Sequence, residues 1–263
     1  MKPFFSHTFS GKIWKISVDT QQSWVALEIR DAEAWQARFA LIDLHRSACM
    51  WEDLQMEENW WIGLSDVQNG VLLLHTFAEQ TRPQPTHLLA LDASQAVLRW
   101  QAAQRQFCGW YQEGLVWAYT GPEGTPQYEK VSLADGRVLQ SLLSSEADSW
   151  AKPHYLDFSF PHHYPESSTA FKTLEKFAKN HLNCNIQGEA AYWEYKNLMI
   201  MAFFYEKEAI ILQDLLILNN KAQILLRDTL NTDYQGLAKD VFFLFQHYLF
   251  VIKNKHQLQI YCL

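Results

Sequence analysis

The chain has 263 residues, 48% of them hydrophobic and 14% aromatic, and carries a net charge of −7 at neutral pH. So large an apolar share supports a packed core and excludes a disordered chain. The acidic balance, with no basic run anywhere, excludes an electrostatic footprint for nucleic acid or anionic lipid, so neither is expected as a partner.

The first residues, "MKPFFSHTFSGKIWKI", contain no continuous apolar core and no small-residue cleavage site, so no secretory leader is expected. No window approaches the roughly 18 uninterrupted apolar residues of a membrane helix. Cys49, Cys108, Cys184 and Cys262 stand far apart without a C-x-x-C pair, which favours reduced thiols over zinc or redox chemistry. The expectation is a cytoplasmic protein.

Taken in order, "PFFSHTF" (3–9) reads as one short strand. "KIWKISVDTQQSWVALEIRD" (12–31) reads as two strands with a loose turn, and "FALIDLHRSACMW" (39–51) as two more around Asp43. The same unit recurs as "WWIGLSDVQNGVLLLHTF" (60–77) with "LLALDASQAVLRW" (88–100), turning at Asn69-Gly70 and at Asp92. It recurs again as "FCGWYQEGLVWAYTG" (107–121) with "EKVSLADGRVLQS" (129–141), turning at Asp135-Gly136. A fourth copy pairs "AAYWEYKNLMIMAFFYE" (190–206) with "LLILNNKAQILLR" (215–227) around Asn219. The fifth has "VFFLFQHYLFVIKN" (241–254) and "HQLQIYCL" (256–263), with no fourth strand. The anchors Asp43, Asp92, Asp135 and Asn219 are separated by 49, 43 and 84 residues. The last interval is one repeat plus an insertion of roughly 40 residues, and the period is that of propeller blades.

These spacings predict an all-β fold, a five-bladed β-propeller of four-stranded antiparallel blades in one domain, 1–263. The blades run roughly over 10–54, 57–103, 105–145, 188–231 and 237–263 plus 3–9. The N-terminal strand supplies the missing outer strand of the last blade and closes the ring, which removes an open edge. A β-sandwich carrying an α/β insert is the alternative. The blade pattern resembles β-propellers of the WD-repeat and quinoprotein-like superfamilies over about five sixths of the chain, and uncharacterised bacterial propeller families likewise. It departs from them in lacking a Gly-His…Trp-Asp pair and the tryptophan motifs of quinone binding. The resemblance therefore implies architecture and no functional residue.

Residues 148–188 interrupt the period. Phe171, Leu174, Phe177, Ala178, His181 and Leu182 form one amphipathic helical stripe, with Ser167 or Ser168 as cap and Pro165 just before it. Burial of that stripe on the blades is the favoured reading, and a partner-binding helix is the alternative. The insertion shares the loop-rich end of the blades with "DLQMEENWW" (53–61), "AEQTRPQPTH" (78–87) and "GPEGTPQ" (121–127). Function is expected there, at a channel mouth rimmed by Lys12, Trp60, Trp61, Phe107, Glu189 and Asp240.

Candidate residues for a ligand or partner face are Trp60, Trp61, Glu58, Arg82, His154, His162, His163, Tyr164 and Glu189. Acids beside aromatic faces suit carbohydrate or cation recognition, and two carboxylates suit acid–base work. His154, Asp157, His162 and His163 have the donor types of a transition-metal site. Their spacing matches no metal motif, so a proline-wedged loop is the favoured reading and no metal or cofactor is expected. Asp43, Asp92, Asp135 and Asn219 are read as turn formers. No nucleophile elbow, P-loop or dinucleotide fingerprint is present. Two functions emerge as expectations: an interaction scaffold for an unknown protein partner through the loop-rich face, or a small-molecule binder or hydrolase at the channel mouth.

Overall fold

The structure is a computed structural model that describes residues 1–79, 82–111, 113–146, 158–231 and 241–263, with backbone alone at 78–79 and 82–84. Contacts divide the chain into two compact units, Phe9–Tyr155 and Met1–Thr8 with Leu156–Leu263. The first strand, β1 (Phe5–Thr8), belongs to the latter.

The unit Phe9–Tyr155 holds three consecutive four-stranded antiparallel meanders. The first comprises β2 (Lys12–Asp19), β3 (Trp24–Asp31), β4 (Gln36–Asp43) and β5 (Ala48–Leu54). The second comprises β6 (Ile62–Gln68), β7 (Val71–Glu79), β8 (Arg82–Asp92) and β9 (Val97–Ala103). The third comprises β10 (Gln106–Tyr111), β11 (Gly114–Thr120), β12 (Pro126–Ser132) and β13 (Val138–Leu142). Continuous apolar runs such as Val25-Ala26-Leu27 and Phe39 to Ile42 are wholly buried, because the middle strands have neighbours on both faces. One apolar layer, with Phe39, Leu41, Leu64 and Leu72, lies between the first and second sheets. Another, with Leu73, Leu88, Trp110 and Leu115, lies between the second and third.

The turns are set by their side chains. Asp92 Oδ1 accepts from the backbone N–H groups of Ser94 (2.9 Å) and Gln95 (3.0 Å), and Asp43 accepts from Arg46 N (3.1 Å). Asp135 accepts from Arg137 N and Asn219 from Lys221 N in the same way. These residues are turn formers, as their spacing predicts. Asn69 and Gly70 both have positive φ (51° and 72°), the pattern of a type I′ hairpin.

Tryptophans on the outer strands tie successive sheets together. Trp51 Nε1 donates to Ala93 O at 2.7 Å, and Trp100 Nε1 donates to Leu133 O at 3.0 Å. Each indole thus reaches the third-to-fourth-strand turn of the next sheet in the chain. A Cβ at position 136 would stand 2.9 Å from the Trp100 ring, so glycine is required there for packing as well as for its φ of 68°.

In the other unit the insertion departs from expectation. It is not purely helical, since it also contributes β14 (Phe158–Ser159) and β15 (His162–Pro165) before the helix α1 (Thr169–Leu182). The fourth sheet runs β15, β16 (Ile186–Tyr195), β17 (Leu198–Lys207), β18 (Ile210–Asn219) and β19 (Ile224–Asn231). The fifth runs β14, β20 (Phe242–Phe245), β21 (Tyr248–Lys253), β22 (Gln257–Cys262) and β1. Two sheets are therefore five-stranded rather than four-stranded. Their first repeat strands, β16 and β20, would otherwise end in an unpaired edge, which the insertion strands cover. As predicted, β1 pairs antiparallel with β22, in a register that sets Phe5 opposite Ile260.

The helix start is fixed by Ser168, whose Oγ accepts from Phe171 N at 3.1 Å. Phe171 and Ala178 are buried against Met201, Phe203 and Leu216 of the fourth sheet, with Leu174 and Phe177 beside them. The apolar stripe is thus spent on packing. No helix among the described residues is long and apolar enough to cross a membrane. The sheets, all antiparallel and packed face to face within each unit, make the fold all-β and β-propeller-like.

The Trp100 anchor can be measured by chemical denaturation. Trp100→Ala removes a 9% exposed ring and should cost about 3–5 kcal/mol. Trp100→Phe loses the bond to Leu133 O and part of the ring packing, and should cost less than the alanine variant, about 1–2 kcal/mol.

Candidate functional site

A cleft of about 650 Å³ opens between the first two sheets, at the end where Asp31 leads into the next turn and Trp60 leads into β6. Its walls include Trp14, Trp60, Trp61 and Phe77, and its polar groups are Lys12, Lys15, Glu28, Arg30 and His75. A smaller cleft of about 330 Å³ adjoins it between the second and third sheets, lined by Ser65, Asp66, Phe107 and Trp110 among others. Lys15 and His75 line both.

The position of these groups derives from the first strand of each sheet. The pairing register slips between Ile13 and Lys15 in β2, between Leu64 and Asp66 in β6, and between Phe107 and Gly109 in β10. A bulge adds one residue and re-aims the side chains beyond it. Here it turns Lys15 and Ser65 to the space where the clefts meet.

The edge of β6 away from β7 is covered by side chains of the first sheet. Trp61 O accepts from Phe77 N, so alternation sends the groups of Trp60, Ile62 and Leu64 to the other edge. There Arg30 donates to Trp60 O and, at 2.5 Å, to Ile62 O. Glu28 Oε2 accepts from Leu64 N at 2.7 Å, and Lys15 Nζ donates to Leu64 O (2.9 Å) and Ser65 O (2.8 Å). Ser17 Oγ then accepts from Val67 N at 3.3 Å.

Glu28 and Arg30 pair at 2.7 Å with side chains 3% and 14% exposed, so each neutralises the other. Arg30 also lies over the Trp60 ring, 5.0 Å from its centre, and Trp35 tilts against Trp60 at 5.1 Å. Asp66 is equally committed, accepting from Ser17 Oγ and from Trp110 Nε1 (2.8 Å). It joins all three sheets of this unit. His75 Nδ1 bonds Ser65 Oγ at 2.8 Å, and its ring packs edge-on to Phe77 at 4.6 Å. Burial, and then the positive charges of Lys15 and Arg30, lower its pKa to about 4. His75 is therefore neutral at pH 7.

The residues expected at the site separate. Lys12, Trp60 and Trp61 line the larger cleft and Phe107 the smaller. Glu58 is a turn former, its Oε1 accepting from Trp60 N (2.9 Å) and Trp61 N (2.8 Å). Arg82 opens β8 opposite Glu79, and its side chain lies outside the described residues. His162, His163 and Tyr164 are strand residues of β15 in the other unit. There His163 Nδ1 meets Glu189 Oε1 at 2.7 Å, and His162 stacks on Trp193 at 5.3 Å. His154, Asp157 and Asp240 lie outside the described residues. Among the described residues no group of three or more His, Cys, Asp or Glu stands together as a metal site.

Residues that sequence reasoning missed are Trp14, Lys15, Glu28, Arg30, Ser65 and His75. One signal was available. Buried Leu64 and Val67 are three apart within a strand, which breaks period two and marks the bulge that places Ser65.

The depressed His75 pKa gives a signed prediction. The unfolded chain takes up that proton near pH 6.5, whereas the folded chain holds it off until about pH 4. This part of the stability is complete above pH 6.5 and is lost as pH falls towards 4. Urea titrations across that window should show His75→Gln with a flatter decline than wild type.

Residues 18–100 match a family model described as a domain of unknown function, DUF4905, a span that runs from β2 to β9. No curated protein matches. Among solved structures the chain is similar to BamB from Moraxella catarrhalis, at 9% identity over 95% of this chain and 84% of that one, with a TM-score of 0.37. It is similar to Chaetomium thermophilum Raptor at 8% identity, covering 100% of this chain and 28% of that one, with a TM-score of 0.41. It is also similar to the uncharacterized protein lmo1340 from Listeria monocytogenes EGD-e at 9% identity, over 92% and 75% of the two chains, with a TM-score of 0.35.

Proposed function

We propose that the protein is a binding module that takes a small ligand with an apolar body into the cleft between its first two sheets. The observation that carries this is an open cleft of about 650 Å³ walled by Trp14, Trp60, Trp61 and Phe77, with Lys12, Lys15, Glu28, Arg30 and His75 as its polar groups. Sites of that size and lining are typical of small-molecule recognition. Trp14 is 71% exposed, so its ring presents an apolar face to solvent beside the cleft.

Binding suits the site better than hydrolysis. Glu28 is held by Arg30 and Leu64 N, and Asp66 by Ser17 and Trp110, so neither carboxylate is available as a general acid or base. The Ser65–His75 contact has the form of a nucleophile and its base. A base with a pKa near 4 takes few protons from a hydroxyl at pH 7. The interaction-scaffold reading uses the same rim, where Trp14 and Trp35, 71% and 60% exposed, offer flat apolar contact to a protein partner. The four cysteines are free, as suits a reducing cytoplasm.

The proposal includes the architecture: five blades closed in one ring, with β1 as the outer strand of the last blade. The β1–β22 pairing and the recurrence of the meander support it. X-ray scattering should then give a radius of gyration of about 18 Å, the value for one compact domain of this length. A distinctly larger radius would argue for two separate bodies.

The cleft is tested with a neutral fluorescent probe, N-phenyl-1-naphthylamine. It should bind wild type, and Trp14→Ala should weaken binding about tenfold at unchanged thermal stability, because the ring is mostly in solvent. Equal binding by the two proteins would remove the cleft as the site.

A further inference from the structure

The cleft holds a charge that the fold leaves unbalanced. Arg30 has Glu28, but Lys15 bonds only the neutral carbonyls of Leu64 and Ser65, and no carboxylate pairs with it among the described residues. A part-buried ammonium is ordinarily matched by a counter-charge. In a chain of net charge −7, the larger cleft is locally positive, with Lys12, Lys15 and Arg30 against Glu28, while Asp66, which lines the smaller cleft, is held by Ser17 and Trp110. Beside Lys15 stands His75, bound through Nδ1 to Ser65 Oγ, while its Nε2 makes no hydrogen bond among the described residues. When Nδ1 accepts from the Ser65 hydroxyl, the ring hydrogen is on Nε2, a second donor next to the ammonium. Gly63 keeps the adjoining space open, since a Cβ there would stand 3.1 Å from His75 Nε2 and 3.3 Å from Glu28 Oε2.

We infer that the ligand is an organic carboxylate on a flat apolar frame, its carboxylate at Lys15 and His75 where the two clefts meet and its frame against Trp14 and Trp60. This rests on the cleft reading above and adds the charge and the end at which it sits. Lys12 is exposed to solvent, so Lys15 is the one part-buried ammonium of the cleft without a carboxylate, and it calls for one negative charge. A monocarboxylate supplies it, whereas a phosphate dianion would leave a second charge to desolvate. The aromatic walls require an extended apolar body, which excludes small hydrophilic acids.

The full chain is titrated with 2-naphthoate and with its neutral counterpart 2-naphthylmethanol, monitored by tryptophan fluorescence and heat. The naphthoate should bind at least tenfold tighter, and Lys15→Met should abolish that preference, the acid then binding no tighter than the alcohol. Lys15→Arg, which keeps the charge, should retain the preference and secures the test should the methionine variant fold poorly. Equal affinities for acid and alcohol in wild type would overturn the carboxylate assignment and leave the cleft reading standing. Binding of neither would overturn both.

Discussion

The free edge of β6 is the constraint on which the first unit depends. An unpaired strand edge is a row of donors and acceptors that invites another strand. Here four side chains of the first sheet take that place. Arg30 and Lys15 donate to carbonyls, while Glu28 and Ser17 accept from N–H groups, in the order that the alternating backbone requires. A one-residue slip of either sheet would set donors against donors, so the ladder fixes how the two sheets meet. It tolerates burial because Glu28 and Arg30 also pair with each other. Lys15 ends the charged part of the row with carbonyl partners only.

The other unit meets the same edge problem with backbone instead of side chains. Strand β15 lies along β16 and β14 along β20, both drawn from the segment that interrupts the repeat. Phe158 of β14 packs against Phe243 and Phe245, so the added strand is held by aromatic contact as well as by hydrogen bonds. This explains why His162, His163 and Tyr164, conspicuous in sequence, are occupied in strand pairing and in packing on Tyr192 and Trp193.

Much of the fold is legible because its signals are local. Asp92 and Asn219 close turns by bonding their own backbone, Asn69-Gly70 supplies two residues of positive φ, and Ser168 caps the helix. Each effect acts within a few residues and survives any tertiary arrangement. The insertion strands are less legible. Phe158-Ser159 is too short for periodicity to register, and the β15 segment is framed by Pro161 and Pro165. At the site, Lys12, Trp60 and Trp61 are reached by asking which residues begin a strand at the loop-rich end. Glu58 beside them has the composition of a site residue and the geometry of a turn. Lys15, Glu28 and Arg30 read in sequence as ordinary polar positions of alternating strands, and nothing local tells that all three point at one foreign edge.

The sequence by itself determined the repeat, the order of the repeat strands within each sheet, the turns, the helix and the pairing of the N-terminal strand with the C-terminal one. Those rest on period, turn chemistry and capping, which are short-range. Only the tertiary structure decided which charges are matched. Glu28 finds Arg30 two residues away, Lys15 finds carbonyls 49 and 50 residues away, and His75 is neutral because burial and two cations surround it. Charge balance and desolvation are properties of a folded neighbourhood, so the residues that make the cleft locally cationic became visible only when the first two sheets were set side by side.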